Sequence, residues 1–302
     1  MLTIIIPSYN HEKYILDCLE AVSAQKNSDY KIIVIDDGSA DNTVSVVKDY
    51  IRTSGRADIS IHCKPNSGLI SSLNLGLQMV QTEFVYFVAS DDVPRIEGIQ
   101  KCLEILEAKP NLAFCIGGGD NFFGDSKNLT TPVYSDRHHS FFEVDADKRK
   151  QQIFLDFPAP LLLQSVVFRT AVLLEIGGWD TRLLWDDYPM FVKLLSKYSE
   201  KGIDFDYLPE IKVVYYRHHG TNSYKNLIKQ FSMVHQALEI LAPKNIKSRA
   251  IGHALALYGL MAVRSGDLRS LAAILSTVNL YSIFYSFPRV ITLILRKVVS
   301  KK

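Results

Sequence analysis

Short apolar runs rich in β-branched residues alternate with amphipathic stretches along the first 120 residues or so. The runs have the length of buried strands, and the stretches between them repeat apolar residues at helical spacing. We predict strands over residues 3–6, 31–35, 59–63, 84–89 and 113–116. We predict helices over residues 14–25, 43–51, 67–80 and 95–108. This βαβ alternation predicts an α/β fold with a mostly parallel, doubly wound sheet.

The pattern changes after residue 117. Residues 117–150 are polar and glycine-rich without a clear period, and we predict a long loop there. Strand patterns return at residues 165–168 and 212–216, with a helical pattern at 188–197 between them, and the chain then has a helical pattern to its end. We therefore predict one domain over residues 1–222, divided at residue 118, and a helical C-terminal appendage over residues 223–302.

Composition narrows the class of protein. The chain has 302 residues, of which 47% are hydrophobic and 22% charged, which excludes disorder or a coiled coil as the main theme. From residue 243 to residue 302 there are ten Lys or Arg and one acid, Asp267, although the net charge of the whole chain is only +2. This basic segment also contains the long apolar stretch of residues 271–299, which favours peripheral contact with an anionic bilayer. We expect no nucleic acid partner.

The apolar tail predicts a particular kind of membrane contact. Its polar residues and Pro288 interrupt a run that would otherwise approach the length of a membrane span. Its Tyr and Phe residues suit the bilayer interface, so we predict a pair of helices lying in that interface. Packing on the first domain, or a contact in an oligomer, is the alternative.

Cysteines and the N-terminus bear on the compartment. The four cysteines are scattered without disulfide or zinc spacing, and they are Cys18, Cys63, Cys102 and Cys115. The opening apolar run is short, lacks a basic region and ends at Pro7, which is unlike a signal peptide. We expect a cytoplasmic protein that works at the inner face of the cell membrane.

Acidic residues follow two of the predicted strands. Asp36 and Asp37 follow the second strand, and Asp91 and Asp92 follow the fourth. A turn or a helix cap would explain either pair alone. In parallel sheets, however, ligands bind beyond the carboxyl ends of the strands, so both pairs are expected at one edge. Clustered carboxylates there favour Mg²⁺ or Mn²⁺ bridging the phosphates of a nucleotide.

A third acidic site lies before the predicted helix of residues 188–197. Pro189 suits the first turn of a helix, so Asp187 would lie at the positive helix end, which favours its charged form. An ionised carboxylate there could act as a general base, although a simple helix cap is the alternative. His218 and His219 follow the last strand, and their spacing does not decide between metal ligation and a structural role.

The ordered set of motifs resembles the inverting glycosyltransferases of family 2, of the bacterial surface-polysaccharide type, which have the GT-A fold. The resemblance runs from residue 3 to about residue 223. It rests on these segments: Pro7-Ser8-Tyr9-Asn10, Asp36-Asp37-Gly38-Ser39, Asn66-Ser67-Gly68 with Asn74, Ser90-Asp91-Asp92, Gly177-Gly178-Trp179-Asp180, Asp186-Asp187-Tyr188 and Tyr216-Arg217-His218-His219. It implies that residues 1–118 bind a nucleotide sugar and that residues 119–222 bind the acceptor and contain the catalytic general base.

The resemblance also implies the roles of single residues. Tyr9 would lie against the nucleobase, Asp37 would accept a hydrogen bond from it, and Asp91 would approach the ribose. The remaining donor-site residues would be Pro7, Asn10, Ser67, Gly68 and Asn74. Asp92 matches the family's metal ligand, and His219 matches a His near the metal and the diphosphate.

The reaction implied is transfer of a sugar from a nucleotide sugar, with a UDP-sugar as the expected donor and Mn²⁺ or Mg²⁺ as cofactor. Asp187 matches the catalytic base, which would deprotonate a hydroxyl of a glycan or lipid-linked acceptor and invert the anomeric carbon. There are three departures from the family pattern: Ser90 replaces an acid, Asp186 replaces Glu, and Lys193 stands where Arg is common. The first is frequent in the family, and the other two leave the acceptor open.

Two other functions remain open. A sugar nucleotidyltransferase should carry a glycine-rich phosphate loop after its first strand, where this chain has residues 7–11, Pro-Ser-Tyr-Asn-His. A non-catalytic, membrane-associated protein that binds sugar nucleotides would not need Asp187. The oligomeric state also stays open.

Overall fold

The computed structural model describes residues 1–24, 30–124, 126–219 and 226–299. The chain forms two compact units: residues 1–146 with 158–220, and residues 147–157 with the segment from residue 221 onward. The predicted domain boundary at residues 222 and 223, like the end of the first predicted helix at Gln25, lies outside the described residues. The inclusion of residues 147–157 in the second unit has no counterpart in the sequence pattern.

One sheet forms the centre of the first unit. Its described strands are β1 (Leu2–Ser8), β2 (Tyr30–Asp36), β3 (Ile59–Cys63), β4 (Phe84–Phe87), β5 (Val93–Pro94), β6 (Phe114–Phe123), β7 (Ser126–Pro132), β8 (Val166–Arg169) and β9 (Phe205–His218). Their order is β3-β2-β1-β4-β8-β6-β9-β5, with β7 beside β6. The helices of this unit are α1 (Ile15–Ser23), α2 (Thr43–Ser54), α3 (Leu69–Met79), α4 (Ile96–Ala108), α5 (Asp136–Glu143), α7 (Thr170–Glu175) and α8 (Asp187–Lys197).

The predicted α/β architecture is confirmed. Strands β1, β2, β3 and β4 pair in parallel, and all seven residues of β1 are buried, as a strand covered on both faces requires. Strand β8 then adds antiparallel to β4 and β6, while β6 and β9 run parallel. Aliphatic and aromatic side chains from β1, β2, β4, α1 and α4 form the main core. The carboxyl ends of β1, β2 and β4 therefore meet at one edge.

The predicted loop over residues 117–150 is wrong. Residues 117–123 continue strand β6, and β7, α5 and the first half of α6 (Ala146–Leu155) follow within this range. The glycines belong to the strand because β9 approaches β6 too closely for a side chain. A Cβ on Gly118 would lie 2.0 Å from the carbonyl oxygen of Pro209, and one on Gly117 would lie 2.7 Å from that of Ile211. These glycines are required by the close packing of two strands and do not form a turn.

The second unit is helical in its described residues. Besides α6 it contains α9 (Leu227–Leu241), α10 (Lys247–Ser265), α11 (Leu268–Ser276) and α12 (Leu280–Val299). Helix α12 continues through Pro288, and α11 and α12 are separated at residues 277–279. Asn279 starts α12 by accepting a hydrogen bond from the backbone N–H of Ser282 (2.9 Å). None of the helices described here has the length and apolar character needed to cross a membrane.

Candidate active site

The loops after β1 and β2 are joined by reciprocal hydrogen bonds. Asn10, in the left-handed region (φ 53°) that Asn tolerates, accepts from the backbone N–H of Ala40 (2.8 Å). Its own N–H donates to the hydroxyl of Ser39 (2.9 Å). One turn later the N–H of Glu12 donates to Asp41 (3.1 Å). These contacts fix the loop that carries Pro7, at the end of β1, and the half-exposed Tyr9.

Asp37 is buried beside the start of α3. It accepts hydrogen bonds from the backbone N–H groups of Ser67 (2.9 Å) and Gly68 (2.8 Å), and it forms an ion pair with Lys64. Three predicted donor-site residues are thus brought together directly. Lys64 was not predicted from the sequence, although a basic residue shortly before a helix that faces an acidic strand end was a usable signal.

Asp91 lies between two histidines. His219 Nε2 donates to Asp91 Oδ2 (2.8 Å), and the ring of His219 stacks on Tyr14 at a centroid distance of 4.7 Å. On the other side, the ring of His11 bonds through Nδ1 to the hydroxyl of Ser90 (2.7 Å). Burial lowers the pKa of His11, which favours its neutral ring. The structure therefore joins Asp91 and His219, which the sequence placed 128 residues apart.

Asp92, the residue after Asp91, is buried. Its Oδ1 accepts from the backbone N–H of Arg217 (2.8 Å), and its Oδ2 accepts from the side-chain amide of Gln164 (3.0 Å). Desolvation raises the pKa of Asp92 well above its ordinary value, and the neighbouring charge of Asp91 raises it further. A group that brings positive charge to this place would stabilise the ionised form.

Asp187 is the first residue of α8, as the position of Pro189 predicts. Its Oδ1 accepts from the backbone N–H of Leu163 (3.0 Å). Desolvation raises the pKa of Asp187 well above its usual range, and the charges of Asp186 and Asp92 raise it further. The expectation that the helix end favours the charged form is therefore wrong, because burial outweighs the field of the helix end. A raised pKa suits a general base, which must take up a proton near neutral pH. The influence of Asp92 also shows that both carboxylates belong to one site.

A short 3₁₀ turn, Leu163–Ser165, connects these two carboxylates. Leu163 donates to Asp187 through its backbone, and Gln164, the next residue, donates to Asp92 through its side chain. Tyr134 holds the turn from below: its hydroxyl accepts from the N–H of Leu162 (3.1 Å) and lies 2.6 Å from the hydroxyl of Ser165. The sequence offered no signal for this turn beyond its apolar flanks.

Arg217 is a further residue whose role was not predicted. Its side chain is almost fully buried, its Nε donates to the carbonyl oxygen of Asp91 (2.8 Å), and it forms an ion pair with Asp17 (2.5 Å). The guanidinium also lies over the rings of Tyr14 and Phe122, at 5.1 and 4.7 Å from their centroids. Through its backbone and side chain, Arg217 fixes both acids of the Asp91-Asp92 pair.

Asn74 contacts the Gly-Gly-Trp-Asp segment of residues 177–180. Its side-chain amide donates to the carbonyl oxygen of Trp179 (3.0 Å), and its Oδ1 accepts from the N–H of the same residue (2.9 Å). Lys193 donates to the carbonyl oxygen of Gly178 in the same motif. These bonds connect α3 and α8 to the Gly-Gly-Trp-Asp segment. A contact between Asn74 and a donor stays a prediction.

The residues present fit a divalent metal that is bound partly by the protein and partly by the phosphates of a nucleotide. In the described ranges there is no cluster of three or more His, Cys, Asp or Glu arranged to hold a metal by themselves. Mg²⁺ in such sites takes only one or two carboxylates and completes its shell with phosphates and water. Asp92 and His219 supply an oxygen and a nitrogen donor of this kind, and a cation would balance the charge of an ionised Asp92, whose pKa is raised first by desolvation and then by the charge of Asp91.

Comparison with known families decides the assignment. The family model described as "Glycosyl transferase family 2" matches residues 3–167, more than half of the chain. The chain belongs to glycosyltransferase family 2. The matched range carries the donor loops, Asp91, Asp92 and the 3₁₀ turn, whereas Asp187, Arg217 and His219 lie beyond it.

Individual relatives support the family and the fold. The teichoic acid poly(glycerol phosphate) polymerase of Staphylococcus epidermidis is 34% identical over 177 residues, which are 57% of this chain and 22% of that protein. The first curated relatives are longer proteins, since the match spans between 22% and 69% of their lengths.

Two solved structures share the fold. The structure of S. aureus TarS residues 1–349 with UDP-GlcNAc has a TM-score of 0.60 at 16% identity, over 94% of this chain and 83% of that one. The mannosyltransferase PcManGT of Pyrobaculum calidifontis, with GDP-Man and Mn²⁺, has a TM-score of 0.58 at 17% identity, over 100% of this chain and 88% of that one. The predicted GT-A fold is thereby confirmed.

Proposed function

We propose that this family 2 glycosyltransferase transfers a sugar from a nucleotide sugar to a hydroxyl group of a glycan or lipid-linked acceptor, with a divalent metal and with inversion. The observation that carries the proposal is the 3₁₀ turn that holds Asp92 and Asp187 in one site. When an acceptor hydroxyl attacks the anomeric carbon and the diphosphate departs, one carboxylate would serve the metal at the diphosphate and the other would take the proton of the hydroxyl.

The donor would bind at the edge formed by β1, β2 and β4. Tyr9 would lie against the base, and Asp37 would accept an N–H of the base while it keeps Ser67 and Gly68 in place. Uracil and guanine both present such an N–H group, and the two similar structures contain UDP-GlcNAc and GDP-Man. We propose a UDP-sugar as the donor, and a panel of nucleotide sugars tests the base and the sugar together.

Asp92 and His219 would hold the metal, as Mn²⁺ or Mg²⁺, while Asp91 would approach the ribose. When bound, the metal would neutralise the charge that develops on the departing diphosphate. Arg217 keeps both acids in position through the N–H that it donates to Asp92 and the Nε that it donates to the carbonyl of Asp91. The Mn²⁺ in the mannosyltransferase structure supports the choice of a divalent ion.

Asp187 would act as the general base. Its Oδ1 accepts the N–H of Leu163, which orients the carboxylate, and its Oδ2 would take the proton of the acceptor hydroxyl. At the same time the hydroxyl oxygen of the acceptor would bond to the anomeric carbon, and the bond from that carbon to the diphosphate would break. Attack from the face opposite the leaving group inverts the anomeric configuration. The relative named as a teichoic acid polymerase supports a cell-surface glycan or polymer as the acceptor class. We place this reaction at the inner face of the cell membrane.

The test is turnover of a nucleotide-sugar panel by the full chain, with Mn²⁺, with Mg²⁺ and with excess chelator. Asp187→Asn keeps the shape of the side chain and removes the base, so turnover should fall roughly a hundredfold or more while donor affinity changes little. Asp186→Asn is the matched control for the neighbouring acid. Full activity in chelator, or near wild-type turnover of Asp187→Asn, would contradict the proposal. Release of pyrophosphate instead of a nucleoside diphosphate would indicate a nucleotidyltransferase.

A further inference from the structure

Helix α12 has its large apolar side chains on the outside. Leu280, Phe284, Phe287, Ile291 and Leu295 follow one another at spacings of three or four residues and lie on one face, and each is 59–82% exposed. We call these five residues the α12 apolar face. Tyr281 lies at its edge and is 75% exposed. A surface helix of a soluble domain normally turns such a face inward.

The opposite face of α12 packs on α10 through small and charged residues. Ser282 and Ser286 are buried, and a Cβ on Gly252 of α10 would lie 2.5 Å from the carbonyl oxygen of Ser282, so the two backbones are in close contact. Arg289 and Arg296 both form ion pairs with Asp156 of the same unit. Ile283 also packs on the apolar cluster of Phe231, Leu255 and Ile274. The helix is therefore held by this side, and rotation to bury the apolar face would break these contacts.

The charges of the segment identify the partner. From residue 268 to residue 302 the chain carries six basic residues and no acidic residue. A second copy of the chain docked through the same face would bring these like charges together, whereas an anionic lipid surface would balance them. An exposed apolar face, basic residues on the rest of the helix and a Tyr at the boundary are the features of helices that lie in a bilayer interface.

We infer that the α12 apolar face docks on an anionic membrane surface, with the helix lying in the plane of the interface. This surface belongs to the second unit, so the inference does not depend on the chemistry proposed for the first. Docking would keep the enzyme close to lipid-linked acceptors, and salt should weaken the contact through its basic residues.

The test is sedimentation of the full chain with vesicles made of equal parts phosphatidylglycerol and phosphatidylcholine, and with vesicles of phosphatidylcholine alone. The wild type should sediment with the anionic vesicles at low salt and be released in part at high salt. The double variant Phe284→Glu/Phe287→Glu should bind roughly tenfold or more weakly, because it places two charges in the apolar face. Phe284→Ser/Phe287→Ser should also bind more weakly and provides a milder change.

Ile203→Glu is the matched control, since Ile203 is 63% exposed but belongs to the first unit, and it should bind as the wild type does. Thermal unfolding should be close to that of the wild type in all variants, because the substituted side chains pack little. Donor hydrolysis in solution, without vesicles, reports on the active site separately. Binding of both double variants at wild-type strength, or no binding of the wild type, would overturn the inference. A dimer in sedimentation velocity that the double variants dissociate would assign the face to a second copy instead.

Discussion

Replacing Gln164 by Leu removes one of the two described hydrogen bonds that hold Asp92, with little change in side-chain size. The backbone of the turn should stay in place, because the carbonyl oxygen of Gln164 still accepts from the hydroxyl of Tyr86 (2.7 Å) and Leu163 still donates to Asp187. The perturbation is therefore confined to the 3.0 Å contact between Gln164 Nε2 and Asp92 Oδ2.

The size of the effect follows from the burial of Asp92, which is 1% exposed. Water cannot readily replace the lost donor, and a hydrogen bond to a charged group contributes about 1.5–3 kcal/mol. Without this bond the ionised carboxylate that the metal requires is less stable, and its pKa rises further. Since 1.36 kcal/mol corresponds to a factor of ten, we expect donor binding in the presence of Mn²⁺ to weaken roughly ten- to a hundredfold.

Calorimetric titration with the donor that the panel identifies, with and without Mn²⁺, measures this effect directly. The loss should appear with Mn²⁺ and be much smaller without it. Gln78→Leu, on the exposed side of α3, is the matched control and should bind as the wild type does. Gln164→Glu should bind more weakly still at neutral pH, because it adds a like charge beside Asp92, and should recover in part as the pH falls. Unchanged affinity of Gln164→Leu would refute the role given to this residue.

Two further predictions concern pH and packing. Because desolvation, with Asp186 adding to it, raises the pKa of Asp187, the rate should decline on acidification at a pH above the ordinary aspartate range of about 3.9, as the base becomes protonated; a pH profile of kcat/KM for the wild type and for Asp187→Asn, which should lack this decline, checks it. Gly118→Ala should lower the free energy of unfolding by roughly 1–3 kcal/mol, because its Cβ would collide with the backbone of Pro209. Gly259→Ala, where the nearest atom is at 3.6 Å, should be tolerated, and thermal unfolding compares the two.

Local patterns predicted the elements that depend on neighbouring residues. The strands before the donor loops and the helices α1 to α4 are where their periodicity indicated, because each buries one face or both faces against the same core. The glycines of residues 117–119 led to the wrong prediction of a loop, because a glycine in a turn and a glycine that allows close packing of two strands look alike in a sequence. Only the position of Pro209 and Ile211 tells them apart.

The site was predictable to the extent that its chemistry lies in motifs. Asp37, Asp91, Asp92 and Asp187 could be chosen because acids at strand and helix ends need partners. The partners themselves were not predictable, because Gln164 is an ordinary polar residue in an apolar run and acquires its role only through the antiparallel addition of β8 beside β4. No short-range pattern encodes that proximity.

The two halves of the site differ in when their bonding partners are synthesised. Every group that bonds Asn10 and Asp37 in the structure is present once the ribosome has reached residue 68. For Asp92, by contrast, the backbone N–H of Arg217 is synthesised 125 residues later. The nascent chain therefore contains the partners of Asn10 and Asp37 long before it contains the last partner of Asp92. The hydrogen bonding of Asp92 can thus be completed only after residue 217 has been synthesised.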